Sequence, residues 1–146
     1  MILITRPKQD ALRFASELKK LNLSSKVESV ISIRLKKSKI NFESGKLYLV
    51  TSVYAVHSLT LLSDQELFSL RKMSFIVIGL RVRDALKKLG INRIKIFAGN
   101  SDKLLLKIRA LKKKSKIIYL CSNYYNEDLK IKLDNLSLEV KLNYVY

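Results

Sequence analysis

Between Lys46 and Leu59 the chain reads KLYLVTSVYAVHSL, the stretch that most restricts what it can fold into. An unbroken apolar run, Leu47-Tyr48-Leu49-Val50, stops at Thr51-Ser52, and apolar residues resume at the wider spacing of Val53, Ala55, Val56 and Leu59. The run predicts a strand buried on both faces, and the wider spacing predicts a helix over Val53–Leu62. With nothing between them, a buried strand turns directly into a helix, and two hydroxyls sit at the junction.

The same rhythm continues downstream. A helical piece is expected around Glu66–Arg71. Strand Phe75–Ile78 leads through Gly79 into helix Val82–Leu89, which Gly90 stops as a C-terminal glycine cap. Strand Arg93–Phe97 leads through Gly99-Asn100-Ser101 into helix Asp102–Lys112, with Asn100 or Ser101 as its cap. Strand Lys116–Leu120 leads through Cys121-Ser122-Asn123 into helix Glu127–Leu136, and strand Leu138–Tyr144 closes the chain. Upstream, Met1–Thr5 is a short strand, Pro7 suits the first turn of helix Asp10–Leu21, and Val27–Ile33 alternates as a strand. The polar, basic segment Arg34–Lys46 is the best candidate for a linker.

Apolar strands alternating with helices of about ten residues imply βαβ units with right-handed crossovers. The expected fold is a three-layer α/β sandwich on a parallel sheet, flavodoxin-like in kind. A hydrophobic share of 48% argues against disorder, and no apolar run approaches membrane-spanning length. The start, MILITRPKQD, lacks the apolar core of a secretory signal, and a lone Cys121 suits a reducing cytosol, so the expected location is cytoplasmic. The formal charge of +17 predicts a field that attracts anions, although a Lys-, Ile- and Asn-rich composition explains much of it.

In an open parallel sheet, ligands bind beyond the carboxyl ends of the strands. That edge reads Thr5-Arg6, Thr51-Ser52, Gly79-Leu80-Arg81, Gly99-Asn100-Ser101 and Cys121-Ser122-Asn123. Each stretch precedes a helix whose first N–H groups lack partners, so the rim suits carboxylates or phosphates. Helix capping alone accounts for any one junction; five of one kind strengthen the collective case. The chain holds no phosphate-binding P-loop, no G-x-G-x-x-G, no G-x-S-x-G around Ser52 and no Cys/His cluster with metal spacing, and no metal is expected. No acidic residue ends a strand. His57, the sole histidine, reads as a partly exposed helical residue rather than a base, and Cys121 as a small buried residue. Within KLLLKIRALKKKSKI, Leu104, Leu105, Ile108 and Leu111 face inward, while Lys103, Lys107, Arg109 and Lys112–Lys114 form a solvated face without interleaved aromatics for base stacking.

Taken in order, these junctions resemble the uroporphyrinogen-III synthase family. The shared features are ILITRP at the start, VTSVYAV, FIVIGLRVRDALKKLGI, AGNSDKLLLKI, IYLCSNYYNEDLKIKL and the closing VY. The resemblance implies a cytosolic lyase of tetrapyrrole biosynthesis that closes hydroxymethylbilane to uroporphyrinogen III. The last pyrrole ring is inverted and water is lost, without a cofactor. It implies binding of an octacarboxylate through main-chain amides and hydroxyls, and catalysis by holding the substrate in a reactive fold. Thr5, Arg6, Thr51, Ser52, Val53, Gly79, Asn100, Ser101, Ser122 and Asn123 become the expected substrate contacts. The tyrosine of the closing V-Y motif falls on Tyr146, a candidate proton donor to the departing hydroxyl; an ordinary strand aromatic is the competing role. Two positions depart from the family pattern: Val82 replaces a threonine, and Ser122 replaces a glycine.

Family members continue past the V-Y motif. The resemblance therefore implies that residues 1–33 are part of a first domain, 34–46 a linker, 47–144 a complete second domain and 145–146 the start of a return linker. It implies weak or absent synthase activity for this chain, as a monomer or a swapped dimer. Two other readings stay open: a basic α/β module that binds nucleic acid or another polyanion, with nucleic acid the less expected, and flavodoxin-like flavin binding, which lacks its phosphate loop.

Overall fold

A computed structural model describes residues 1–40, 43, 45–111 and 115–146. The basic run Lys112–Lys114, and with it the expected end of the helix at Lys112, lies outside the described residues. The chain divides into two compact units, Met1–Arg34 and Leu35–Tyr146.

The first unit is a single βαβ. Strand β1 (Ile2–Ile4) pairs in parallel with β2 (Ser25–Val27), and helix α1 (Lys8–Lys20) connects them. Pro7 stands at the N-cap, one position before the helix, and its carbonyl accepts the first helical bond from Ala11 N–H. Ile4, Ala11 and Leu18 form a small core. The expected strand over Val27–Ile33 is instead β2, ending at Val27. β1 offers only three residues to pair with, so the chain leaves after Glu28 N–H and Val30 N–H have bonded to Ile4 and Thr5, and Val30 and Ile31 are exposed. The alternating apolar residues there had no partner strand to define them.

The second unit is a three-layer α/β/α sandwich. Its five parallel strands are β3 (Leu47–Val50), β4 (Ser74–Ile78), β5 (Ile94–Ala98), β6 (Lys116–Cys121) and β7 (Glu139–Tyr144). They lie in the order β5-β4-β3-β6-β7. Numbered within the unit this is 3-2-1-4-5, whereas a flavodoxin sheet runs 2-1-3-4-5. The sandwich expected from the sequence is present, with a different strand order.

That order dictates where the helices lie. From β3 the chain steps one way to β4 and β5, then returns across the sheet and steps the other way to β6 and β7. Right-handed crossovers running in opposite directions put their helices on opposite faces. Helices α2 (Val53–Leu59), α3 (Asp64–Arg71) and α4 (Leu80–Lys88) cover one face; Ala55, Val56, Leu59, Leu70, Val82 and Leu86 meet Tyr48, Val50, Phe75 and Val77 there. Helices α5 (Ser101–Ile108) and α6 (Glu127–Asn135) cover the other, where Leu104, Ile108, Leu129 and Leu133 meet Leu47, Leu49, Ile76 and Tyr119. All four residues of β3 are buried, as a central strand dry on both faces requires.

Caps set the helix ends. Ser63 and Glu66 form a reciprocal capping box that starts α3 earlier than the apolar spacing suggested. Gly90, at φ +77°, ends α4: its N–H bonds to Lys87 C=O, and Ile91 N–H bonds to Leu86 C=O. Arg71 Nε donates to Leu89 C=O beside it. Part of the segment read as a linker packs along the sheet: Lys36 N–H bonds to Val145 C=O, Ser38 Oγ donates to Tyr144 C=O, and Ile40 is buried in the core.

Gly90→Ala should destabilise the protein by about 1–2 kcal/mol, because a Cβ is strained at positive φ and would lie 2.9 Å from Arg71 Nε. Urea unfolding followed by circular dichroism measures this loss.

Candidate functional site

The strand order reverses between β3 and β6, so the crevice of this sheet opens beyond their carboxyl ends. Parallel pairing brings Leu49 opposite Tyr119 and Val50 opposite Leu120, which sets the Thr51 and Ser122 turns side by side, about 5 Å apart by the spacing of adjacent strands. Gly79 ends the neighbouring strand β4. Asn100 and Ser101 follow β5 at the sheet margin, two strands from Thr51. Thr5 and Arg6 belong to the first unit, where the Arg6 guanidinium stacks on Phe14 at 5.0 Å.

Each turn has its own local logic. Ser52 is the N-cap of α2, its Oγ accepting from Tyr54 N–H at 3.2 Å. Gly79, at φ +94°, enters α4 without a capping side chain, and its own N–H donates to Ala98 C=O at 2.9 Å. Asn100, rather than Ser101, caps α5 through Lys103 N–H at 2.9 Å. Ser122 does not open a helix. Its Oγ accepts from Tyr124 N–H at 3.2 Å and donates to Tyr124 C=O at 2.9 Å, closing a turn. Five residues separate β6 from α6, and Asn126 caps that helix through Leu129 N–H at 2.9 Å. Val82, where the family pattern has threonine, is buried in the core under α4 and presents no hydroxyl to the rim.

Aromatic rings pair on the elements that flank the switch point, a feature that motif reading passed over. Tyr54 packs against Tyr146 with ring centres 6.1 Å apart and edge-on against His57 at 5.9 Å. Tyr119 meets Tyr125 edge-on at 6.3 Å, and Tyr125 lies 6.5 Å from Tyr144. The Tyr119 hydroxyl is 2.9 Å from Thr51 Oγ1, and burial holds its phenol above the usual tyrosine range. The signal for Tyr119 was its position in β6, one residue short of the rim and on the same face as Cys121.

His57 lines a cleft of about 430 Å³ between α2 and α4, with Arg81, Asp84 and Lys88 at its polar margin and Val53, Val56 and Ala85 as its apolar floor. Cys121 is buried at the end of β6, and burial pushes its thiol up to about 11. Among the described residues no group of three His, Cys, Asp or Glu side chains could hold a metal ion, and no helix is long and apolar enough to cross a membrane.

The arrangement defines an α/β protein whose strand ends at the switch point of a parallel sheet carry hydroxyls and amides. Comparison with known proteins identifies the family. The pattern of uroporphyrinogen-III synthase HemD matches residues 13–146, and the chain belongs to the uroporphyrinogen-III synthase family. Its structure is similar to that of Thermus thermophilus uroporphyrinogen III synthase, with a TM-score of 0.51 at 17% sequence identity. The match covers 99% of this chain and 61% of that one, so this chain spans less than two thirds of its structural relative. A search of curated proteins finds no match.

The Cys121 thiol should resist a disulfide-exchange reagent in the native protein at neutral pH and react fully after unfolding. The raised folded value also has a sign: the unfolded thiol, near 9, ionises first and draws the equilibrium toward unfolding. The contribution of Cys121 to stability should be constant below about pH 9 and fall between about 9 and 11. Cys121→Val should remove that part of the slope.

Proposed function

We propose that this chain acts in tetrapyrrole biosynthesis in the cytoplasm, binding hydroxymethylbilane along the carboxyl rim of its second unit and promoting closure to uroporphyrinogen III. The observation that carries the reading is the rim itself, in a chain of this family: Thr51, Ser52, Asn100, Ser101 and Asn123 place uncharged polar groups at the ends of neighbouring strands, with Gly79 and Ser122 shaping the turns beside them. A linear substrate with carboxylates along its whole length needs holding at many points. Fixed N–H and O–H dipoles do this without the large desolvation penalty of buried ion pairs. The +17 charge of the chain draws such a polyanion toward the protein, and the neutral rim then orients it.

Closure requires two remote ends of a flexible chain to meet, so positioning supplies much of the rate. The remaining demand is a proton for the departing hydroxyl. Tyr146 is the residue assigned to it: a phenol with an O–H to donate, half-buried against Tyr54. Thr5 and Arg6 are assigned as contacts from the opening strand–helix turn. On the same reading, residues 1–33 are part of one domain and 47–144 a complete second domain.

The test is closure of freshly generated hydroxymethylbilane, with the product oxidised and its isomers separated. The reading expects weak formation of the ring-inverted type III isomer, above the level of a protein-free control. Product consisting only of the non-inverted isomer, at the control rate, would overturn it. Tyr146→Phe should lower the rate of type III formation by about a hundredfold, the lower end for loss of a general acid, with little change in substrate affinity.

A further inference from the structure

We infer that Tyr119 is a positioning residue, whose buried hydroxyl aims the Thr51 hydroxyl into the crevice as a donor to a substrate carboxylate. The inference rests on the reading above, in which Thr51 is a substrate contact. It begins with a side chain that sheet packing alone does not explain. Tyr119 is 2% exposed and packs among Leu49, Leu129 and Leu133, where phenylalanine would fill the same space without a polar atom.

Proton bookkeeping at that oxygen assigns the directions. A phenol carries one proton, and the acceptor placed to take it is Thr51 Oγ1 at 2.9 Å. Were Thr51 the donor, the phenol proton would be left without an acceptor inside an apolar core, at substantial cost. Tyr119 therefore donates to Thr51, and Thr51 keeps its own proton for another acceptor. Thr51 continues the face set by Leu47 and Leu49, and it is partly exposed at the head of the crevice. A carboxylate entering there meets a hydroxyl already turned to donate.

The same contact joins the two sides of the switch point: Tyr119 lies in β6, and Thr51 leads from β3 into α2. α2 has only seven residues, so its dipole adds little, and a directed hydroxyl is the stronger donor at this corner.

Binding of uroporphyrin III, an octacarboxylate tetrapyrrole, is measured for the unaltered chain and for Tyr119→Phe, Thr51→Val, Thr51→Ser and the Tyr119→Phe/Thr51→Val pair. Thr51→Val should weaken binding about tenfold, as expected for a lost hydrogen bond to a charged group. Tyr119→Phe should weaken it severalfold. The double variant should bind no more weakly than Thr51→Val, because Tyr119 acts only through Thr51. Thr51→Ser should retain affinity. In turnover, Tyr119→Phe should raise KM and leave kcat within about twofold.

Unchanged affinity in Tyr119→Phe, or additive losses in the double variant, would overturn the inference while leaving the functional reading intact. Failure of the unaltered chain to bind would overturn both. If Tyr119→Phe does not fold, NMR of the unaltered protein decides. A slowly exchanging Tyr119 hydroxyl proton close to the Thr51 side chain supports the inference, and a fast-exchanging one contradicts it.

Discussion

The second unit depends on burying β3 on both faces. Leu47, Tyr48, Leu49 and Val50 all lie in the dry interior, and they alternate between the two hydrophobic cores of the sandwich. A central strand of this kind excludes water from its backbone, so its hydrogen bonds must run to two parallel neighbours, β4 and β6. Those neighbours are reached by crossovers of opposite direction. The reversal places α2, α3 and α4 on one face and α5 and α6 on the other, and it leaves the ends of β3 and β6 uncovered where the chain changes direction. Packing thus creates the crevice before any functional residue is considered.

What fills the edge of that crevice is chemically mild. Ser52 and Asn100 spend their side-chain oxygens on helix N–H groups, Ser122 closes its own turn, and Gly79 opens α4 without a capping side chain. Of the charged groups around the cleft between α2 and α4, Asp84 and Lys88 lie along the helix flank, and Arg81 stands in the first turn of α4. Such a division suits a ligand that is attracted from a distance by net charge and oriented at close range by neutral dipoles. Tyr119 shows how the core can take part. A hydroxyl placed inside the sandwich couples β6 to the end of β3, so the geometry of the rim is tied to the packing beneath it.

Much of this was legible from residue patterns, for identifiable reasons. The apolar runs at Leu47–Val50 and Lys116–Leu120 marked buried parallel strands because nothing else in a chain this size needs four consecutive apolar residues between polar turns. Gly90 marked the end of α4 because its positive φ favours glycine. Other features escaped because they depend on pairing between distant segments. Val30 and Ile31 alternate like a strand, but the three-residue β1 gives them no partner. The strand order is a property of the whole sheet, and no local pattern distinguishes it from the flavodoxin order. Asn126 lay beyond the Ser122-Asn123 pair that first drew notice, although the acidic Glu127 and Asp128 behind it are a helix-start signal. Tyr119 read as one more apolar strand residue, since only the register against β3 brings its hydroxyl to Thr51.

The central claim, that the carboxyl rim of the parallel sheet is the ligand site, is tested most directly by NMR titration of the labelled chain with uroporphyrin III. The account predicts amide shift changes concentrated at Thr51–Tyr54, Gly79–Arg81, Ser122–Asn126 and Tyr146, saturating together. Changes confined to the lysine-rich outer surface of α5, scattered over Lys103, Lys107 and Arg109 and abolished by moderate salt, would contradict it and mark a nonspecific polyanion-binding surface instead.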